Sequence, residues 1–342
     1  MLIDWITARL PDAFLDPSQW RALQATGDRV VRYTPSTGEV VYESAAWDSV
    51  RSDSHTLAFR VGSDALWIQG SPARVLGDCC AVFGSGAAVK LDLVGCLDVM
   101  KNFIAKQLGM ILPAAQSWVV TRIDVTGNVL LESLSEVRDA LKILRNCEGG
   151  RYRVSQQAGD TVYWSHRSRH RKGKAYAKGP HLRYQMAQGK YNGRVYRPHE
   201  IEAAEKLLRL ELTLGSKWIS RHGEPWYDIT AQQLTREWDG YFTRMIGDQV
   251  MANDNDVKQA IFNAAPTEGR ARAAYGCWLM IQSEGWERAR EAFAKTSWYR
   301  HLEVLRAAGL GDADIAAGKV VPLRRRILDA RIVHDWSEIL AA

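Results

Sequence analysis

Short runs in which apolar and polar residues alternate occupy the first half of the chain, and this pattern predicts β-strands. Between and after these runs, apolar residues recur every three or four positions, which predicts helices. The predicted strands cover 29–35, 39–47, 56–62 and 65–70. One predicted helix begins at Ser71-Pro72. The others cover 95–109, 134–146 and 197–208, and the last of them leads straight into a strand.

The pattern changes after about residue 245, where the signals for strands fade. The polar stretch 253–269, which contains NDNDVKQ and then PTEG, predicts a connection between domains. Helical spacing returns beyond it and continues to about position 308. The sequence therefore predicts a strand-containing domain over 1–245, a linker over 246–269 and a helical domain over 270–342.

Two short helices are predicted within the helical domain, over 286–293 and 297–309. The second has an apolar stripe at helical spacing, with Arg300 and Arg306 on more exposed faces. This spacing fits a helix-turn-helix, whose second helix enters the major groove, so both arginines are candidate DNA contacts. Two helices that only pack against each other produce the same pattern, and this alternative stays open. The stripe consists of Trp298, Leu302 and Leu305.

Three of the predicted strands carry a polar face with chemically useful side chains. Alternation along TRIDVT places Arg122 and Asp124 on one face, and alternation along RLELTL places Glu211 on a polar face. In GKAYAKG the same period puts Tyr176 and Lys178 together with Lys174, opposite two alanines. If the strands are neighbours, one face of the sheet is apolar and covered by helices, whereas the other gathers the polar groups.

This set of side chains has a possible chemistry. Two carboxylates, Asp124 and Glu211, offer the oxygen ligands that Mg²⁺ or Mn²⁺ prefers, and such an ion stabilises charge during displacement at a phosphodiester. Tyr176 could attack phosphorus and form a covalent phosphotyrosine, and Lys174 and Lys178 would favour the phenolate. Arg and Glu side chains on an exposed sheet face also often pair with one another, so a structural role remains an alternative.

Positive charge is concentrated in one segment of the chain. The net charge is +6 and the isoelectric point about 9.0. Residues 161–199 contain ten Lys and Arg and no Asp or Glu, so the rest of the chain carries a net charge of −4. Such a local excess indicates a nucleic-acid channel, although a solvated surface loop is the simpler alternative. The candidate DNA contacts are Arg122, His166, Arg167, Arg169, Arg171, Lys172, Lys174 and Arg183.

Several classes of protein are disfavoured by composition. No apolar run approaches the roughly 18–20 residues that cross a bilayer, and the N-terminus lacks the features of a signal peptide. The five cysteines show no C-x-x-C spacing and fit reduced thiols in a cytoplasm. His166 and His170 have the spacing of helical zinc ligands, but the arginines between them disfavour zinc. His170 is instead a candidate ligand of the catalytic metal.

The order of the motifs resembles the gene II-type replication initiators of filamentous bacteriophages and related plasmid proteins. The resemblance covers most of the chain and depends on the ordered combination, because no single motif is diagnostic. The motifs are the opening MLIDWITARLP, SPARVLG followed by VFG, TRIDVT (121–126), SRHR (168–171) with A-Y-x-K (175–178), and RLEL (209–212).

The resemblance implies rolling-circle replication. It implies an α+β nuclease domain, in which helices cover one face of an antiparallel sheet, followed by a helix-turn-helix-like domain. Tyr176 would nick the plus-strand origin of the double-stranded replicative form, keep the 5′ phosphate, and later rejoin the single-stranded phage DNA. Asp124 and Glu211 would bind the metal, and Lys178 resembles the lysine that follows the tyrosine in wider rolling-circle nucleases. A host helicase, a host single-strand-binding protein and the bacterial cytoplasm are the expected partners and location.

Two features depart from the wider nuclease pattern. The chain has no His-hydrophobic-His motif and no Tyr-x3-Tyr pair, and Tyr184 is the only nearby tyrosine with a possible second role. Two rival functions remain. The first is a non-catalytic phage DNA-binding regulator that uses the basic segment and the C-terminal helices. The second is a tyrosine recombinase, which needs no metal and attaches the 3′ phosphate.

Overall fold

The computed structural model describes residues 1–26, 29–34, 36–37, 39–45, 48–52, 55–75, 80, 82–83, 92–145, 159–188, 195–246, 254–317 and 332–340. The strands are β1 (Leu2–Pro11), β2 (Arg29–Tyr33), β3 (Val40–Ala45), β4 (Asp48–Ser52), β5 (His55–Val61), β6 (Ala65–Gly70), β7 (Val119–Leu130), β8 (Thr161–Trp164), β9 (Arg171–Ala177), β10 (Leu207–Gly215) and β11 (Ile332–Val333). The helices are α1 (Pro17–Thr26), α2 (Pro72–Val75), α3 (Leu93–Leu108), α4 (Leu134–Arg145), α5 (Lys178–Ala187), α6 (Pro198–Glu205), α7 (Ser216–Ile219), α8 (Ala231–Ile246), α9 (Asp254–Ala264), α10 (Glu268–Glu284), α11 (Trp286–Ala292), α12 (Lys295–Ala307), α13 (Asp312–Ala317) and α14 (Trp336–Leu340).

One antiparallel sheet organises the part of the chain before residue 246. Its order is β4-β5-β6-β1-β7-β10-β9-β8, and β11 adds to β7 beyond the start of β1. The long strands β1, β7 and β10 therefore occupy its centre. All the strands predicted from alternation are present, but β11 shows that strand structure also occurs after residue 245, where the sequence predicted none.

The apolar face of the sheet forms the main core, as the alternation predicted. Leu208, Leu210, Leu212 and Leu214 of β10 are all buried there, against side chains of α3, α4 and α8. Two glycines allow aromatic side chains of α8 to approach the strands closely. A Cβ at Gly127 would lie 2.7 Å from Trp238, and one at Gly173 would lie 2.5 Å from Tyr241. The fold is thus α+β, with helices on one face of an antiparallel sheet.

A smaller cluster covers one end of the opposite, polar face. Leu182 of α5, Tyr196, Ala203 of α6 and Val333 of β11 pack there with Val82. The backbone carbonyl of Val82 accepts hydrogen bonds from the side chains of Asn128 and Arg209, both of which lie on the polar face. The polar face is therefore partly buried where β7, β9 and β10 meet.

The C-terminal region is helical and has a core of its own. Helices α9 to α13 contribute Trp278, Trp298, Leu302 and Leu305, among others, and the last three form the predicted stripe of α12. The predicted pair of helices is present as α11 and α12, and Gly309 follows with φ +86°. No helix in the described part of the chain is long and apolar enough to span a membrane.

The expected linker over 246–269 differs from the structure. Residues 254–264 form α9, and its Val257 and Ile261 are fully buried in the C-terminal core. Two apolar residues four positions apart suffice to attach this helix, although the segment around them is polar. Residues 247–253 lie outside the described residues. Among the cysteines, Cys80, Cys96 and Cys277 form no disulfide bond in the described structure, and Cys79 and Cys147 lie outside the described residues.

Candidate active site

The register of the central strands brings the predicted polar groups onto one face. Glu211 of β10 lies between Thr126 of β7 and Lys174 of β9. On one side of Glu211 along β10, Thr213 pairs with Asp124 of β7. On the other side, Arg209 pairs with Tyr176 of β9. Because neighbouring strands are roughly 5 Å apart, these side chains can contact one another directly.

Tyr176 donates a hydrogen bond to Glu211. The phenolic oxygen lies 2.7 Å from Oε1 of the carboxylate, and Tyr176 is only 3% exposed. Burial, together with the negative charge of Glu211, holds the pKa of Tyr176 well above its usual range. The phenol is therefore neutral in this arrangement and its proton points at a base.

Arg209 holds two carboxylates beside the tyrosine. It is 2% exposed, with Nη2 3.2 Å from Asp4 and Nε 3.4 Å from Glu211. Burial would lower the pKa of Arg209, but the negative charges of Asp4 and Glu211 outweigh it and raise the pKa. Asp4 reaches this position because β1 has a register irregularity between Ile3 and Trp5. Loss of hydration would raise the pKa of Asp4, but Arg209 and Lys178 lower it.

Lys178 and His181 approach Tyr176 from a helix and not from the strand. The sequence predicted Lys178 on the same strand face as Tyr176, and this is wrong, because β9 ends at Ala177 and Lys178 begins α5. The Nζ of Lys178 still lies 5.6 Å from the centre of the tyrosine ring, whereas that of Lys174 lies 4.0 Å from it. Burial and the charge of Arg209 hold the pKa of Lys178 well below its usual range.

The ring of His181 also packs against the phenol. Its ring centre is 4.8 Å from that of Tyr176, and its Nδ1 is buried without a hydrogen-bond partner in the described structure. Burial, with a further contribution from the charge of Lys178, lowers the pKa of His181 to about 3. The imidazole is therefore neutral at physiological pH.

The carboxylate of Asp124 is paired with an arginine. Arg122 Nε lies 2.8 Å from Oδ1 and Nη2 lies 2.6 Å from Oδ2, which is a bidentate pair between residues two apart on β7. Burial raises the pKa of Asp124 in spite of the hydrogen bonds from Arg122. The guanidinium of Arg122 also lies 5.8 Å from the ring centre of Trp5.

The predicted metal ligands are not assembled for a metal ion. Asp4, Asp124 and Glu211 lie on three adjacent strands and are suitable oxygen donors, but each is paired with arginine or lysine. His170 lies at the far end of the β9–β10 ladder, where its carbonyl accepts a hydrogen bond from Gly215 at 2.8 Å, away from Glu211. Among the described residues, no three His, Cys, Asp or Glu side chains are grouped to hold a metal. The observed positions of Asp124, Glu211 and His170 therefore do not form the predicted metal site.

Several cations of the basic segment have acidic partners from other parts of the chain. Arg183 pairs with Glu205, and Arg171 Nη1 lies 3.0 Å from Glu237. In the helical region, Arg306 Nε lies 2.7 Å from the buried Asp312 and its side chain is only 17% exposed, so its expected exposed position is wrong. The cations of the turn between β8 and β9 are more exposed. Arg167 and Arg169 of this turn are exposed, as is His166, and Lys172 in β9 is half-buried.

Three residues of the site were not among the candidates from sequence. Arg209 could have been included, because alternation already placed it on the face of Glu211. Asp4 required knowledge of a strand at the N-terminus and of its irregular register. His181 required the prediction that a helix starts directly after the tyrosine.

Comparison with known proteins agrees with the motifs. A model of the N-terminal part of the gene II replication-associated protein family matches residues 2–240. The gene II replication-associated protein of Enterobacteria phage f1 is 24% identical over 336 residues, covering 83% of this chain and 80% of that protein. That of Salmonella phage IKe is 24% identical over 253 residues, covering 61% and 60%. A solved rolling circle replication initiator protein from Geobacillus stearothermophilus has a TM-score of 0.31 at 11% identity, covering 74% of this chain and 88% of that one.

The extent of the family match establishes the class of protein. The chain belongs to the gene II family of phage replication-associated proteins, because the family model covers most of its length. This confirms the resemblance to the gene II-type initiators of filamentous phages. Rolling-circle initiators of this family are nicking enzymes.

Proposed function

We propose that the protein nicks one strand of the phage origin by attack of Tyr176 on a phosphodiester and later rejoins the displaced strand. The phenolic oxygen forms a bond to phosphorus as the bond from phosphorus to the 3′ oxygen breaks. The 5′ phosphate stays on Tyr176, and the 3′ oxygen leaves as a hydroxyl. Attack of a 3′ hydroxyl on the phosphotyrosine reverses these bond changes, so rejoining needs no nucleotide cofactor.

The hydrogen bond from Tyr176 to Glu211 is the observation that carries the proposal. A phenol whose pKa is raised is a poor nucleophile unless a base removes its proton during attack. Glu211 Oε1, 2.7 Å from the phenolic oxygen, is placed to accept that proton. The leaving 3′ oxygen takes a proton from water, which balances the step.

Cations around the pair can stabilise the charge that develops on the phosphorus oxygens. Lys174 Nζ lies 4.0 Å from the centre of the tyrosine ring and 3.4 Å from Glu211 Oε2. Arg209 lies on the opposite strand position and is fixed by Asp4. Fixed donors in a dry site stabilise transition-state charge more strongly than mobile donors in water.

Access to the tyrosine requires a movement of side chains. Tyr176 is covered by Lys174, His181 and Arg209, and of these Arg209 is fully buried. Lys174 has the most freedom, because a lysine stem is flexible and its side chain is 26% exposed. A phosphate that attracts Lys174 would uncover the phenol. The exposed cations of the β8–β9 turn would guide the strand towards it.

The decisive experiment replaces Tyr176 by phenylalanine. We expect Y176F to lose nicking of supercoiled origin plasmid, by at least about a hundredfold, and to retain origin binding, because only the nucleophilic oxygen is removed. Y227F is the matched control, since Tyr227 is 38% exposed and lies outside the strands of the sheet. A wild-type protein that shifts the plasmid without nicking it would support the regulator alternative. Attachment of the 3′ end would support a recombinase, and full activity of Y176F would refute the proposed nucleophile.

A requirement for Mg²⁺ or Mn²⁺ remains a prediction of the family resemblance. Nicking by the wild type is compared with and without a chelator and then over a titration of Mg²⁺. D124N is compared in parallel, because Asp124 is a predicted ligand that does not touch Tyr176. An altered Mg²⁺ titration for D124N would support its role as a ligand, and an unchanged titration would count against it.

A further inference from the structure

A cleft in the helical region is separate from the tyrosine site. It has a volume of about 330 Å³, which is at the lower end of the range for small-ligand pockets. The end of α9, the first turns of α10 and one side of α12 surround it. Its walls are formed mainly by small or apolar residues, namely Ala264, Pro266, Gly269, Ala273, Val304 and Ala307.

Helix α12 presents one stripe to this cleft and another to the core. Ser297, Arg300 and Val304 recur three and four positions apart and line the cleft. The core stripe of the same helix lies on a different side and includes Trp298 and Leu302. Val304 belongs both to the cleft lining and to the core, so the two stripes meet at this residue.

Positive groups stand at the rim of the cleft on two different helices. Arg270 is in the first turn of α10, Arg300 is in α12, and both are exposed. His301 also lines the cleft, where its ring meets Phe293 edge-on with 5.0 Å between ring centres. Burial lowers the pKa of His301, so its imidazole is neutral and offers hydrogen bonds to a polar ring. Glu303 is the one acidic residue in the lining.

These cations are a local feature of the helical region. Residues 254–317 contain eight Lys and Arg but nine Asp and Glu, which gives a net charge of −1. The region as a whole therefore does not attract DNA strongly, and a contact with DNA has to come from a particular site.

We propose that this cleft binds one unpaired nucleotide of a DNA strand, with the base between the small apolar walls and its phosphate on Arg270 and Arg300. Apolar walls suit the flat base, and two arginines on one rim suit a phosphate. A base inside a duplex is stacked and paired and cannot enter a cleft of this size. The choice of DNA as the source of the nucleotide rests on the proposed function, whereas the chemistry of the cleft does not.

Binding of full-length protein to a fluorescein-labelled single-stranded 20-mer tests this site. We expect R270A and R300A each to weaken binding about tenfold, which corresponds to about 1.4 kcal/mol. R272A is the matched control, because Arg272 is on the same helix, pairs with Glu268 and is absent from the cleft lining. A273L fills the cleft without changing its charge and should weaken binding similarly. All four variants should bind the corresponding duplex like wild type, and equal melting temperatures exclude misfolding.

Any one of four outcomes would overturn the assignment. R270A and R300A could behave like R272A, A273L could bind the 20-mer like wild type, or the arginine variants could weaken duplex binding equally. Tight binding of free dAMP that the same variants abolish would make the cleft a site for a free nucleotide, which also overturns the assignment to a strand. Covalent attachment of origin DNA to Tyr176 is measured separately, so a negative result at the cleft leaves the proposed nicking activity intact.

Discussion

Replacement of Arg209 by methionine should destabilise the sheet domain strongly. Methionine keeps much of the length and apolar volume of the arginine stem but removes the charge and the hydrogen-bond donors. Three groups lose a partner in R209M. They are Asp4 at 3.2 Å, Glu211 at 3.4 Å and the carbonyl oxygen of Val82 at 3.1 Å.

The size of the effect follows from the burial of each group. Removing one partner of a buried ion pair costs about 3–5 kcal/mol, because a charge is left unpaired away from water. Glu211 keeps Lys174 and Tyr176, and the side chain of Asp4 is 37% exposed, so both carboxylates retain some compensation. We therefore expect a loss of about 3 kcal/mol in the free energy of unfolding, at the lower end of that range.

Urea unfolding at pH 7, followed by tryptophan fluorescence, measures this loss. R9M is the matched control, since Arg9 pairs with Asp64 at 3.5 Å and their side chains are 32% and 67% exposed. Such an exposed pair contributes about 1 kcal/mol or less. The double variant D4N/R209M should be more stable than R209M by about 1 kcal/mol or more, because one unpaired carboxylate is removed.

A result for R209M that matches R9M would refute this reasoning. It would mean that the carboxylates near Tyr176 are hydrated in solution or change their protonation at little cost. The absence of any recovery in D4N/R209M would show that the loss has another origin, such as the contact with Val82. The slope of the urea transition has to remain constant across the variants for either comparison to hold.

Three further predictions concern the base, the histidine and a close backbone contact. E211Q should reduce nicking about a hundredfold or more with binding retained, since an amide does not accept the proton of Tyr176; an active E211Q would exclude Glu211 as the base. The pKa of His181 is lowered to about 3 in the folded protein, so below pH 6.5 the unfolded chain binds a proton that the folded chain does not. The stability that is present above pH 6.5 is therefore lost as the pH falls. Urea unfolding at pH 7 and 5 should show a slope of up to about 1.4 kcal/mol per pH unit in the wild type and a smaller one in H181Q, and equal slopes would contradict this. G215A should destabilise the protein by about 1–3 kcal/mol, because a Cβ there collides with the backbone carbonyl of Arg169. The control is G276A, whose Cβ meets nothing within 4 Å, and it should be neutral or stabilising by about 0.5–1 kcal/mol. Thermal or urea unfolding separates the two glycine variants, and equal effects would contradict the contact.

The composition of the polar face was predictable because it depends on a period of two. Once Asp124, Glu211 and Tyr176 are assigned to strands, alternation alone places them on the same side, and the observed register brings them together. The identity of their partners was not predictable in this way. Lys178 leaves the strand because a helix begins there, and Asp4 depends on an irregularity in the register of β1.

The number of cations in the basic segment that are available to DNA was overestimated from sequence for a similar reason. The window from 161 to 199 has no acid of its own, but folding brings Glu205 to Arg183 and Glu237 to Arg171. Local sequence gives no information about such distant partners. Exposed cations of the β8–β9 turn, including Arg167 and Arg169, are the part of the segment for which a DNA contact remains the simplest prediction.

The ion pairs of the polar face connect the proposed chemistry with the predicted use of a metal. Arg122 occupies the carboxylate of Asp124, and Lys174 occupies one oxygen of Glu211. Phosphodiesters attract the same cations, and arginine binds phosphate with the bidentate geometry that it uses for carboxylate. A DNA strand that draws Arg122 and Lys174 to its phosphates would therefore free the oxygens of Asp124 and Glu211 at the moment when the phosphodiester arrives. The exchange of carboxylate partners for phosphate partners would thus take place only when the substrate strand is bound.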